Sequence, residues 1–248
     1  MTKLIYEHKQ YKRLLFHALQ LFYRNDATDL FGKSKIRKEE RGKEKIVNER
    51  AMVGCVYRYM WCLMQLKTYN GIESDIDIEY DRMVKDNLVY YEKEIPCECS
   101  AKNCEKKNKC IHEIIAGIRR RRKVEVSDIE MSDIIKTAVR PDVIVHNRNQ
   151  IGQSNNGLVV EFKKEYAGLS DADIVFDKAK LYYFTCDEEC THFHYKIGAM
   201  VMLRPKYADV ILISKRNIMC GYKVYADKVE KIKADAMELE TYLLKRNS

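Results

Sequence analysis

Two short stretches combine residue types able to work on a phosphodiester. Arg140-Pro141-Asp142-Val143-Ile144-Val145-His146 sets a carboxylate at the entry of an apolar run, and Asn156-Gly157-Leu158-Val159-Val160-Glu161-Phe162-Lys163-Lys164 ends a second run in acid-x-base. In a strand alternate side chains share a face, so Glu161 and Lys163 project together while Phe162 points to the opposite layer. Residues 147–157, with Asn155-Asn156-Gly157 as the turn signal, supply the reversal that sets Asp142 beside Glu161. Two neighbouring carboxylates repel, and a hard cation such as Mg2+ or Mn2+ relieves the repulsion while keeping positions open for phosphate and water. Such a cation stabilises charge on the phosphate and lowers the pKa of a bound water, with Lys163 placed to orient that water or steady the transition state. The plain alternative is that Asp142 merely opens a strand and Glu161 and Lys163 form a solvated face.

On these residues the chain resembles the PD-(D/E)XK nuclease superfamily, the restriction-endonuclease-like fold. Pro141-Asp142 and Glu161-Phe162-Lys163 match its two signature elements, and the resemblance covers about residues 44–203. It implies an α/β fold with an αβββαβ core, a mixed sheet flanked by helices in which the acids meet where two strands diverge. It also implies a Mg2+-dependent nuclease, with DNA favoured over RNA and endonuclease action over end-trimming. Members often carry a further acid on the first core helix, which points to Glu49, with Glu44 as the alternative. A basic or amide residue on the helix after the lysine strand commonly faces the site, and in Asp177-Lys178-Ala179-Lys180-Leu181 that residue is Lys180. A solvated helix position for Glu49 and a surface position for Lys180 are the competing readings.

The elements that must hold these residues are legible to different degrees. Residues 44–67 carry an apolar stripe through Ile46, Val47, Met52, Val53, Val56, Met60, Leu63 and Met64, which predicts the first core helix. A noisy alternation over residues 88–95 gives the first core strand. Residues 171–185 predict a helix with Asp177, Lys180, Leu181 and Phe184 at helical spacing, followed by a strand over 195–203. Helices over 3–24 and 226–245 are expected to pack around that core. Three prolines, ten glycines and no linker-like or repeated segment favour a single domain over residues 1–248, with a Cys-rich insertion at about 97–123.

With 45 basic and 37 acidic residues the formal charge is +8, which suits a polyanionic partner. Arg119, Arg120, Arg121, Arg122 and Lys123 form the densest basic run. They can neutralise backbone phosphates without reading bases, or they are a solvated helix end or loop. Seventeen tyrosines offer stacking surfaces for single strands or frayed ends, although tyrosine more often fills core and subsurface positions.

The chain has nine cysteines and no stretch readable as an export signal, so thiols or metal ligands are expected rather than disulfides, and a cytoplasmic location follows. Cys97, Cys99, Cys104 and Cys110, with His112 beyond, lie in a polar segment that one structural Zn2+ could order. Free thiols and an iron–sulfur cluster are the alternatives. Cys186, Cys190, His192 and His194 have zinc-compatible types too, but the two histidines alternate with Phe193 and Tyr195 as an entering strand would. Cys55, Cys62 and Cys220 sit in apolar stretches and read as small buried hydrophobes. No window reaches the about 20 apolar residues of a membrane span.

No Gly-x-Ser-x-Gly, Gly-x4-Gly-Lys-Ser/Thr or Gly-x-Gly-x-x-Gly occurs, so nucleotide hydrolysis is not expected here and any motor is a separate partner. A homodimer or a distinct motor or defence protein is the expected assembly, and membrane is not a partner. Three functions remain in view: a Mg2+-dependent deoxyribonuclease, a catalytically silent nuclease-fold protein that binds nucleic acid or a partner, and a zinc-stabilised interaction module.

Overall fold

A computed structural model describes residues 2–31, 49–69, 72, 75–78, 82–85, 89–92, 141–146, 156–165, 171–185, 194–215 and 217–233. Helix α1 (Thr2–Asn25) buries Leu14, Leu15, Ala18, Leu19 and Phe22, which recur at helical spacing along one face. Helix α2 (Glu49–Met64) buries Met52, Val53, Val56, Met60 and Leu63, most of the stripe read from the sequence, and packs against α1. Glu49 opens α2, where a carboxylate suits the positive end of the helix dipole.

The strands, in chain order, are β1 (Asp75–Ile78), β2 (Arg82–Lys85), β3 (Val89–Glu92), β4 (Val143–His146), β5 (Asn156–Lys164), β6 (Ile197–Leu203), β7 (Ala208–Ser214), β8 (Asn217–Val224) and β9 (Val229–Ile232). Seven of them form one mixed sheet in the order β1-β4-β5-β6-β7-β8-β9, and β2 and β3 pair with each other. Within the seven-stranded sheet every pairing is antiparallel except β5 with β6. That parallel pair is joined by helix α3 (Asp171–Phe184), as a parallel connection requires. The architecture is therefore α/β.

Strands β4, β6 and β7 are buried along their whole length, because both sheet faces are covered there, and so they read as unbroken apolar runs. On one face Leu158, Val160 and Phe162 of β5 join Ile197, Ala199 and Val201 of β6 beneath α1 and α2. On the other face α3 covers β5 and β6. Gly198 allows this approach, since a Cβ there would lie 3.0 Å from the Thr185 methyl carbon.

Several expectations change. The strand beside β4 is β1, not the run over 88–95, whose described part, Val89–Glu92, pairs with β2 instead. The physical reason is that β4 is buried and needs a neighbour with one inward apolar residue and one partner for His146. Ile76, 5% exposed, and Asp77 supply them. Residues 229–232, expected to be helical within 226–245, form β9 against β8, while 234–248 lie outside the described residues. Asn156 and Gly157 belong to β5 rather than to the turn before it. Helix α1, expected at the periphery, supplies a large share of the main core. Cys55 and Cys220 are half-buried and Cys62 is exposed, because the buried stripe of α2 passes along another side of the helix.

Candidate functional site

The β4–β5 register pairs Val143 with Val160 and Ile144 with Val159. Continued by one residue, it sets Asp142 across from Glu161, at the end of the sheet where β4 begins and β5 finishes. Asp142 is fixed there by a backbone contact, the Phe162 N–H donating to its Oδ2 at 2.6 Å. Glu161 and Lys163 share the face covered by α3, by the two-residue period of the strand.

From α3, Lys180 Nζ approaches Glu161 Oε2 at 2.7 Å and Asp177 Oδ1 at 2.9 Å. Lys163 Nζ lies 2.7 Å from Asp177 Oδ2 and 3.8 Å from Glu49 Oε1. Glu49, reaching in from the start of α2, also accepts the Lys164 N–H at 2.8 Å through Oε2. Glu161, Asp177 and Lys180 are nearly fully buried. The expected residues Asp142, Glu161, Lys163, Glu49 and Lys180 thus meet at one end of the sheet.

Asp177 is the member that the sequence reading placed only as a helical-spacing residue. It links the two lysines, and its signal was available. An acid at i and a lysine at i+3 share one helix face, and that face must meet the strand bearing Glu161 and Lys163.

Electrostatics divide the acids into two kinds. Burial raises the Asp142 carboxyl to about 6, against the lowering effects of the Phe162 N–H, Lys180 and Lys163. Burial raises Glu161 well above the usual carboxylate range, with Lys180 opposing and the charges on Asp177 and Asp142 adding to the rise. Asp177 is also buried, but Lys180 and Lys163 outweigh that and hold it below the ordinary value. For both lysines burial favours the neutral amine, and the carboxylates outweigh it. Lys163 is raised chiefly by Asp177 and Glu49, and Lys180 by Glu161 and Asp177. The two ammoniums therefore stay charged and act as donors, not as bases.

Full ionisation would leave four carboxylates against two ammoniums, an excess of two negative charges. The deficit falls on Asp142 and Glu161. Glu161 Oε1 is buried with no hydrogen-bond partner among the described residues. An orphaned buried carboxylate oxygen facing a second hard-to-ionise carboxylate fits a hard divalent cation with an all-oxygen shell. Asp142 and Glu161 would hold it. Among the described residues no three His, Cys, Asp or Glu side chains gather closely enough to hold an ion alone. Mg2+ commonly takes one or two carboxylates and fills its shell with water and phosphate.

Arg119, Arg120, Arg121, Arg122 and Lys123 lie outside the described residues, as do Cys97, Cys99, Cys104, Cys110, Cys186, Cys190 and His192. His194 has a left-handed backbone, φ 42°, and precedes β6 instead of entering it as a strand residue. No described helix is long and apolar enough to cross a membrane. Comparison with family models, with curated proteins and with solved structures gave no match.

Proposed function

We propose that the chain is a metal-dependent nuclease that hydrolyses phosphodiester bonds of nucleic acid, DNA favoured and internal cutting favoured, on a restriction-endonuclease-like core. One observation carries the reading. Residues from α2, β4, β5 and α3 that are far apart in sequence, Glu49, Asp142, Glu161, Lys163 and Lys180, meet at the end of one sheet. The fold part is supported by the order α2, β1, β4, β5, α3, β6, with those four strands adjacent in the sheet and the separate β2–β3 pair inserted between β1 and β4, which matches an αβββαβ core with an insertion.

Asp142 and Glu161 would hold Mg2+ or Mn2+, which when bound supplies Lewis-acid stabilisation of phosphate charge and a more acidic water. The chain's own residues do the rest. The Phe162 N–H keeps the Asp142 carboxylate at the mouth of the site. Lys163, held cationic by Asp177 and Glu49, offers an ammonium to the negative charge that builds on the phosphate or to the attacking water. Lys180 screens Glu161 from Asp177 so that both acids can coexist.

A second reading, a silent nuclease-fold protein that binds nucleic acid, is favoured by one feature: Lys163 and Lys180 form ion pairs with Glu49, Glu161 and Asp177, which a purely structural charge network would also show. Cleavage decides between them. Purified protein with Mg2+ or Mn2+ is offered linear, circular and single-stranded DNA and the equivalent RNA, and it is expected to cut at least one. Asp142→Asn and Lys163→Ala should each reduce cutting by roughly a thousandfold with an unchanged circular-dichroism spectrum, and Glu49→Gln should lower it without abolishing it. Wild-type cutting by Asp142→Asn would remove the assignment.

A further inference from the structure

The row that contains Lys163 continues across the sheet. Lys163 pairs with Met202, Met202 with Asp209, Asp209 with Lys223, and Lys223 with Glu230. Directly paired residues share a face. Lys223 therefore lies on the face of Glu161 and Lys163, three strand spacings or about 14 Å from Lys163. Helix α3 packs on β5, β6 and part of β7, and Lys223 beyond it is half-exposed.

Here the β6–β7 and β8–β9 turns bring two aromatic rings together. Tyr207 and Tyr225 have centroids 5.3 Å apart at 38°. Lys223 Nζ lies 5.1 Å from the Tyr207 centroid, Arg204 Cζ 6.0 Å from it, and Lys228 Nζ 5.1 Å from the Tyr225 centroid.

Both turns are pinned from beneath. Tyr23 donates to the Arg204 carbonyl at 3.0 Å, and Arg24 donates to the Ala226 carbonyl at 3.1 Å. The Arg204 guanidinium pairs with Asp209 and with Glu165, the residue after Lys164, so the shelf is tied to the strand that carries the carboxylate site. Those two acids are taken up by Arg204. On the surface of the two turns beside these rings, Lys206, Lys223 and Lys228 lie with Asp227 and Glu230, the latter 2.7 Å from Lys228, while Lys231, paired with Tyr222, falls on the opposite sheet face.

We propose that Tyr207, Tyr225, Lys206, Lys223 and Lys228 form a stacking shelf for an unpaired strand of nucleic acid leaving the carboxylate site. The proposal rests on the nuclease reading of that site and adds its substrate class, nucleic acid with a single-stranded segment. Aromatic rings stack on bases of any sequence, but only where the bases are unpaired, and the lysines meet the phosphates between them. At a stacked spacing of 3.4 Å, the about 14 Å from Lys163 to Lys223 spans about four nucleotides. A base arriving on Tyr225 displaces the exposed Lys228 from the ring, and a phosphate then competes with Glu230 for its ammonium.

Fluorescence anisotropy in EDTA, where no cutting occurs, tests the shelf with a labelled blunt duplex and the same duplex bearing a short unpaired tail. Separate deoxyribose and ribose tails distinguish DNA from RNA. The wild type should favour at least one tailed duplex by roughly tenfold or more. Tyr207→Ala with Tyr225→Ala should lose roughly tenfold to a hundredfold on the tailed form while binding the blunt one as before. Tyr207→Phe with Tyr225→Phe should keep the preference. Tyr207→Leu with Tyr225→Leu, which retains apolar bulk for the fold, should lose it. Equal binding of tailed and blunt duplexes by the wild type, or an undiminished preference in the leucine variant, overturns the shelf even if the protein cuts. Tail preference that depends on the tyrosines, in a protein that never cuts, retains the shelf and removes the nuclease reading.

Discussion

Asp142 and Glu161 are carboxyls that the folded chain makes difficult to ionise, and this has a measurable sign. Asp142 rises from 3.8 to about 6 through burial, so the native state binds its proton more tightly than the unfolded chain does. Its contribution to stability is fully present below about 4 and is lost as pH rises through 6, by at most about 3 kcal/mol. Glu161 acts in the same direction. Asp177, held low by Lys180 and Lys163, acts oppositely, and its contribution is lost only in acid below the ordinary carboxylate range. Urea titrations of metal-free protein should therefore show the gap between Asp142→Asn and wild type moving in favour of the variant between pH 5 and 7.5. Mn2+ should restore the wild type more at pH 7.5 than at pH 5. A gap independent of pH would place Asp142 in water. At this scale strand alternation made Glu161 and Lys163 legible together. Glu49 and Lys180 came through family resemblance, and Asp177 escaped because an acid in a charged helix looks like surface until its face is assigned.

Strand β5 shows how an element is constrained by what crosses it. A Cβ on Gly157 would lie 2.2 Å from the Tyr11 ring, so α1 sits where only glycine leaves room. Tyr11 is 6% exposed and cannot swing clear cheaply. Gly157→Ala should cost roughly 1–3 kcal/mol in chemical denaturation, and Tyr11→Ala should recover part of that in the double variant, because the two side chains meet at the same point. Additive losses would mean that α1 does not press on this strand. In the sequence the same glycine reads as turn punctuation, since a tight turn and a close helix approach demand the same missing side chain. Helices α1, α2 and α3 were legible because their helical spacing persists over many residues, and strands β5 and β6 because each carries a sustained apolar run. Strand β1 was not, with four residues and only one of them, Ile76, strongly buried. Strand β9 reads as helix in the sequence because its exposed residues carry no alternation to set against the charged segment that follows.

At the scale of the whole molecule, the run Arg119–Lys123 is the densest concentration of positive charge in a chain of formal charge +8. Alanine at Arg119, Arg120, Arg121 and Arg122 should weaken binding of any DNA sequence about equally. It should also flatten the salt dependence by about one unit of log–log slope for each phosphate that is no longer neutralised. An unchanged slope would make the run solvated surface. Cys97, Cys99, Cys104 and Cys110 belong to a segment too polar to fold by burial, and one Zn2+ is proposed to order it. Elemental analysis should find about one zinc per chain, absent from Cys99→Ser, while cleavage by the folded remainder persists. Native protein with four freely titrating thiols and no transition metal would refute this.

The parallel pairing of β5 with β6 also implies an order of assembly. Strands β6 to β9 form a meander whose neighbours along the chain are neighbours in space, so their pairings close short loops. Joining β5 to β6 requires the α3 crossover, and pairing Asp75 with His146 closes a far longer span. Loop-closure entropy makes such pairings slow. Pulse-labelled hydrogen exchange during refolding should therefore protect amides of 197–232 before those of 143–146 and 156–164. The acids and lysines converge only across that later seam. A chain stopped halfway would hold Tyr207 and Tyr225 on a formed meander while its carboxylates and lysines were still apart, so the charged cluster is withheld until the rest of the molecule is in place.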